Sequence, residues 1–243
     1  MSTTRLVTAN QGVITDMKFV LITQAYLSVS EVRNDELFRA VNLNVSNPLI
    51  DKVHLMSEPK AKARYEKEIH PANASKVSYE IINRRCKYSD LIGKANRSFN
   101  QRNIILANTD IYFDATLNEF KKTDMNKKFF AITRLDPDPV ERWKLFGGKN
   151  PEQTQDVWIF RSPVGINAPI ELGTPGCENM FANAAVNAKL TVMNPALSVR
   201  CYHMHSSNIR SYTEQKDRVR GKYYFPPVSY INGEKEYVPD YCI

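Results

Sequence analysis

The sequence predicts an α/β fold, a single domain around a mostly parallel central sheet. Three observations carry that prediction. Apolar segments of strand length alternate with amphipathic ones through the first half, the order that a parallel sheet with crossover helices requires. An apolar strand at residues 103–107 runs straight into Asn108-Thr109-Asp110, which puts polar groups at a strand's carboxyl end, where open α/β sheets bind ligands. The chain has 243 residues, 42% hydrophobic and 24% charged, the size and composition of a soluble globular protein with a substantial core.

The elements follow in order. Residues 17–24 are an apolar strand. Residues 31–43 set Val32, Leu37 and Val41 at helical spacing, with Arg33, Asp35, Glu36 and Arg39 between them. Asn47-Pro48 marks a loop over 44–51, and 52–56 alternate as a strand. The highly charged stretch 60–69 reads as an exposed helix. Residues 76–82 form a strand with Val77, Tyr79 and Ile81 on one face. A helix at 88–99 delivers the chain to the strand at 103. In the second half, 128–133 is a strand. Asp136-Pro137-Asp138-Pro139 and Gly147-Gly148 mark a loop-rich stretch, and 155–160 is apolar and aromatic. The sharp turn Gly173-Thr174-Pro175-Gly176 precedes a helix at 178–189, and 197–205 is a strand. From Ser211 the tail is polar, basic and aromatic, and Pro226-Pro227 stops any helix.

The net charge of +7 and the pI of about 9.1 favour acidic partners such as nucleotides, nucleic acid or anionic surfaces. The basic residues are grouped: Arg84, Arg85 and Lys87 near Arg97 and Arg102, then Lys121, Lys122, Lys127 and Lys128. Lys216, Arg218, Arg220 and Lys222 lead into Tyr223, Tyr224 and Phe225, a mixture that can track a phosphate backbone and stack bases. A solvated basic face is the plainer reading of any one cluster. Residues 19–22, the longest apolar stretch near the start, are too few to span a bilayer, and residues 1–16 lack the pattern of a secretory signal. A cytoplasmic, unanchored protein is expected. Cys86, Cys177, Cys201 and Cys242 form no C-x-x-C pair, which argues against a zinc ribbon and for reduced thiols.

Four constellations could carry chemistry. Asp110 suits a divalent metal holding a diphosphate, or else caps a turn. Cys201, His203 and His205 share one face of a strand. Imidazoles at that spacing can ligate a metal or be a core and an edge histidine. Glu178 lies in the first turn of its helix, as a partner of the helix dipole or as a general base. Asp156 precedes the aromatic run and can bind hydroxyls or cap it. No P-loop, dinucleotide fingerprint or nucleophile elbow occurs.

Taken in order, Ala95-Asn96, residues 105–114, Ala131-Ile132-Thr133-Arg134, residues 155–160, Gly176-Cys177-Glu178-Asn179 and Tyr202-His203-Met204-His205 resemble the GT-A type of nucleotide-sugar glycosyltransferase. They are similar in particular to a branch of small, stand-alone bacterial and viral (phage-like) enzymes. Residues 18–225 carry the match, and Arg33-Asn34-Asp35-Glu36 and Asn44-Val45-Ser46-Asn47-Pro48 also resemble that branch. The resemblance implies one GT-A domain over 1–243: a nucleotide-sugar half at 17–115, an acceptor half at 128–210 and a basic aromatic tail at 211–243.

It also implies roles. Asn108-Thr109-Asp110 matches a D-x-D metal motif with Asn in first place, so Asp110 holds Mn2+ or Mg2+ with His205 or His203 completing the shell. Asp114 is a rival acid. Asn108 contacts ribose or sugar, Asp156, Arg134 and Asn96 line the sugar pocket, Asp156 counting with Glu178 as catalytic, and Arg33 serves the donor. Glu178, followed by Asn179, is the base. A single base predicts inversion. The expected acceptor is a 5-hydroxymethylated pyrimidine in phage DNA, held by Arg218, Arg220, Lys222 and Tyr223. A polysaccharide or lipid-linked glycan is the alternative, and a non-catalytic sugar- or nucleic-acid-binding module is the alternative of another class.

Overall fold

A computed structural model describes residues 17–207 and 216–233. The expectations for residues 1–16, Cys242 and the parts of the tail at 211–215 and 234–243 lie outside those residues.

The chain runs β1 (Phe19–Ala25), α1 (Glu31–Ser46), β2 (Ile50–Ser57), α2 (Pro59–Glu68), β3 (Val77–Ile81), α3 (Tyr88–Ser98), β4 (Asn103–Ala107) and β5 (Ile111–Phe113). It continues with β6 (Lys128–Ile132), β7 (Leu135–Asp138), β8 (Arg142–Leu145), β9 (Val157–Arg161), α4 (Cys177–Asn187), β10 (Thr191–Met193) and β11 (Cys201–His203). Among the described residues the strands form two sheets, one of seven in the order β10-β6-β9-β4-β1-β2-β3 and one of four in the order β5-β11-β7-β8. The large sheet is parallel except at β9, which runs antiparallel between β4 and β6. The fold is therefore the mixed α/β domain expected.

Alternation along the central strands builds two cores. Phe19, Leu21, Ile105 and Ile159 face α1 and α2, where Leu37, Phe38, Val41 and Tyr65 close the layer. Val20, Ile22, Ile104, Leu106, Trp158 and Phe160 face α3 and α4 and meet Leu91, Ile92 and Phe181. Both faces of β1 and β4 are covered, which is why these strands read as unbroken apolar runs. Tyr88 stacks on Phe181 at 4.0 Å between ring centroids and so joins α3 to α4. No helix among the described residues is long and apolar enough to cross a membrane. Cys86, Cys177 and Cys201 are buried free thiols.

The structure departs from the sequence reading in three places that matter for the site. Val32, expected on the apolar face of α1, is 62% exposed, while Arg33, Asn34 and Glu36 are buried in its place. The first turn of α1 faces polar chain rather than core, so charge is satisfied there. Helix α1 also runs on to Ser46, because Asn44 turns inward: its Nδ2 donates to the Ile111 carbonyl (2.7 Å) and its Oδ1 accepts from the Phe113 amide (3.2 Å). The stretch read as loop-rich contains the hairpin β7–β8, and the strand expected at 197–205 narrows to β11. Pro137 is tolerated in β7 because that strand meets β11 only at Leu135, so Pro137 owes no ladder donor on that side.

Candidate active site

The site forms where the two sheets meet. After β4 the Asn108 amide donates to the Asp156 carbonyl (3.1 Å), and the Ile111 amide donates to the Asn108 carbonyl (3.2 Å). The Thr109 hydroxyl donates to the Gln24 carbonyl at the end of β1. This turn carries Asp110 from one sheet to the other. Strand β11 pairs antiparallel with β5, with His203 opposite Ile111, and the Met204 amide donates to the Asp110 carbonyl (2.8 Å). Sheet register thus sets His203 and the chain leading to His205 beside Asp110.

One ligand atom each of Asp110, His203 and His205 lies within 4.8 Å of the others. The Asp110 Oδ2 accepts from the Arg33 guanidinium and pairs with His203 Nε2 (3.1 Å). Its Oδ1 is buried without a hydrogen-bond partner. A buried carboxylate oxygen left unpaired is costly, and it marks a place for a cation. His203 Nδ1 meets Asp136 Oδ1 at 2.9 Å, an arrangement that orients an imidazole toward a metal through its other nitrogen. The Asp136 Oδ1 also accepts from Arg134 Nε (2.8 Å), Arg134 Nη1 donates to Asp156 Oδ2 (2.7 Å), and Asn108 Nδ2 donates to Asp156 Oδ1 (2.6 Å). Four carboxylates (Glu36, Asp110, Asp136 and Asp156) stand against two guanidiniums (Arg33 and Arg134) and the His203 imidazole that two of the acids keep protonated; a divalent cation that displaced the His203 proton would balance the charge. The carboxylate suits a hard cation such as Mn2+ or Mg2+, while imidazole donors favour transition metals, so the mixed set fits Mn2+ better than Mg2+.

The charges shift one another. Burial acts to raise the Asp110 pKa, but His203 and Arg33 outweigh it and hold the carboxyl well below its usual range. Burial opposes the charge on His203, yet Asp110 and Asp136 raise its pKa to about 9. His205 moves the other way, lowered by burial and then by the charges of Arg33 and His203. Its imidazole is thus neutral at neutral pH, the form that ligates metal.

The second reactive group is Glu178. Gly176 takes a left-handed φ of 82°, which turns the chain into α4. A Cβ there would come within 3.0 Å of the Tyr223 hydroxyl. The half-buried Glu178 carboxyl is raised to about 7, by burial first and by the charge of Asp156 second. A carboxylate so tuned is a base poised near neutrality. The neighbouring Asn179 is buried and donates to Gln155 Oε1 (3.1 Å).

The structure brings together Asp110, His203, His205, Arg33, Asn108, Asp156 and Arg134, with Glu178 near enough to feel Asp156. It does not bring Asn96 to them. Both Asn96 amide atoms bond the Val164 backbone, just beyond Arg161 of β9, which pairs with Asn103 at the amino end of β4. Asn96 stands at the opposite end of β4 from Asp110. Asp114 is likewise engaged elsewhere, accepting from the Thr116 amide (2.8 Å) and the Tyr202 hydroxyl (2.8 Å). Arg218, Arg220 and Lys222 are exposed on a strap laid over the start of α4, where the Val219 amide donates to the Pro175 carbonyl and the Tyr224 amide to the Asn179 carbonyl, both at 3.0 Å. Tyr223 is half-buried, its hydroxyl bonded to the Val219 carbonyl, so it fixes the strap.

The sequence assigned no role to Asp136, placed in a loop-rich stretch, or to Glu36, read as one of the charges between the apolar positions of its helix and as the end of the Arg33–Glu36 block. The available signal was charge at inward positions of α1, one turn apart.

No sequence-family model and no curated protein matches this chain. Solved structures with a similar outline include a mannosyltransferase from Pyrobaculum calidifontis in complex with GDP-Man and Mn2+ (13% identity, TM-score 0.47, covering 79% of this chain). Another is TarS 1-349 from S. aureus with UDP-GlcNAc (10%, TM-score 0.46, 79% of this chain). A third is 4-diphosphocytidyl-2C-methyl-D-erythritol synthase from Anaerococcus prevotii (12%, TM-score 0.46, 83% of this chain). The chain spans 58%, 62% and 93% of these three in turn. At such scores the likenesses assign no residue and no activity, and the site is read on its own geometry.

Proposed function

We propose that the chain is a metal-dependent glycosyltransferase of GT-A type, moving a sugar from a nucleotide-diphosphate donor to an acceptor hydroxyl. The observation that carries this reading is the convergence of Asp110, His203 and His205 at the carboxyl end of β4, around a buried and unpartnered Asp110 oxygen. Mn2+ or Mg2+ held there would supply positive charge beside the departing diphosphate. Arg33 adds a fixed cation on the same side. Asn108, Asp156 and Arg134 form a rigid polar wall suited to ribose and sugar hydroxyls, and Asn96 is left out of it.

Glu178 is the base. As the acceptor oxygen bonds to the anomeric carbon, Glu178 takes its proton, and the bond from that carbon to the diphosphate breaks with its electron pair leaving on the nucleoside diphosphate. With one base and no second carboxylate assigned as nucleophile, the displacement inverts the anomeric centre. The finer reading of the acceptor is DNA bearing a 5-hydroxymethylated pyrimidine. It is supported by the exposed Lys216, Arg218, Arg220 and Lys222 on the strap beside the helix of Glu178.

The test is to incubate the protein with a panel of nucleotide sugars, Mn2+ and hydroxymethylated DNA, and to weigh the nucleosides. A hexose- or pentose-sized gain on the modified base establishes enzyme, donor and acceptor together. Donor hydrolysis that needs Mn2+ and Asp110, without that gain, moves the acceptor to a glycan. The absence of both signals rejects the enzyme reading.

A further inference from the structure

The chain just beyond β11 is fastened to α1 at one carboxylate. Glu36 Oε1 accepts from the Ser206 amide, the Ser206 hydroxyl and the Ser207 amide, each at 2.8 Å. Its Oε2 accepts from the Ser207 hydroxyl (2.9 Å) and Arg33 Nη1 (2.8 Å). These bonds hold the Glu36 carboxyl down at about 2 although burial alone would raise it. The residue is only 8% exposed. Burying a carboxylate is expensive unless its oxygens are satisfied, and here they are satisfied almost wholly by two consecutive residues of one short segment.

That segment directly follows His205, which lies two residues past the last paired residue of β11. On one side of His205, Met204 is fixed by its amide to the Asp110 carbonyl and by its carbonyl to Arg33 Nη1, both at 2.8 Å. On the other side, among the described residues, the polar partner of both Ser206 and Ser207 is Glu36. Arg33 closes the arrangement, since one guanidinium bonds both Glu36 and Asp110.

We propose that Glu36 is a positioning residue: by gripping Ser206 and Ser207 it fixes the backbone just after His205, opposite the hold on Met204, and so sets that imidazole at its distance from Asp110 and His203. Glu36 touches neither metal nor sugar in this role. The inference deepens the metal reading given above and rests on it. Partners that orient metal ligands without binding the metal change affinity by about 10- to 100-fold when removed.

The experiment compares Glu36→Ala with Glu31→Ala, which removes an equal charge from the exposed start of the same helix. Mn2+ affinity is measured by electron paramagnetic resonance of the free ion, and amide hydrogen exchange is followed at Ser206 and Ser207. E36A should weaken Mn2+ binding about 10- to 100-fold and speed exchange at both serines, while E31A does neither. Wild-type Mn2+ affinity in E36A overturns the proposal. If E36A does not fold, the double variant Ser206→Ala with Ser207→Ala takes its place. It keeps the Arg33–Glu36 pair, and affinity must still fall several-fold or the idea is lost. A wild-type chain that takes up no Mn2+ sinks the metal reading itself. Glu36 is then judged as an anchor by exchange alone, where rates in E36A equal to wild type reject it.

Discussion

Asp110 carries opposite duties through its two oxygens. One is committed to Arg33 and His203, and the other is buried and unpaired. Asp110→Asn should abolish Mn2+ uptake and metal-dependent donor turnover. It also breaks a buried ion pair, a change that costs about 3 kcal/mol, the low end because Arg33 keeps Glu36. Calorimetry should show that loss with metal absent. Glu178 makes a separate prediction. A base works only when unprotonated, and its pKa is raised to about 7. The transfer rate kcat/KM should therefore fall tenfold per pH unit below about 7 and level off above it. Glu178→Gln should remove transfer and leave donor binding intact. If that variant transfers at the wild-type rate, another group is the base.

Among the elements, α1 shows what a periodic pattern reveals and what it conceals. Leu37 and Val41 were legible as its core face. The inward turn of Arg33 and Glu36 was not, because their partners lie more than 70 residues away in sequence. At its other end Asn44 pins β5, and β5 aligns β11. Asn44→Ala leaves a buried carbonyl and a buried amide unpaired, so it should cost about 2–4 kcal/mol and weaken Mn2+ binding as well. Urea unfolding and a metal titration on the same sample test both halves. Stability loss with unchanged affinity would show that β5 holds its place without this bond. The hairpin β7–β8 escaped prediction for a different reason. Its prolines and aspartates are turn residues by habit, and what makes them a strand is the four-pair ladder with β8, anchored to β11 at Leu135. Asp136 was overlooked along with it.

For the whole molecule, the alternation that fills two cores was visible because burial on both faces of a parallel sheet writes itself as continuous apolar runs. The small second sheet was not, since all four of its strands have only three or four residues, and β11 joins β5 and β7 from far along the chain. The overall acid response should come partly from His54, buried on β2 against Ser78 (2.9 Å). Burial first, and then the charge of Lys94, lowers its pKa to about 4. An unfolded histidine takes up its proton near pH 6.5 and the folded one only near 4, so stability falls as pH drops between those values, by at most about 3 kcal/mol. Melting curves of His54→Asn should show a shallower loss across that window. An identical slope would assign the acid limb to other groups.

Arg33 grips Met204 across 171 residues of chain. Contacts of that separation form late, because the entropy of closing so long a loop comes due before the contact rewards it. Strands β1, β2 and β4 pair over much shorter spans and can assemble first. A refolding chain should therefore regain its far-ultraviolet circular dichroism before it can take up Mn2+. For that interval it would be a complete sheet with its metal ligands not yet gathered.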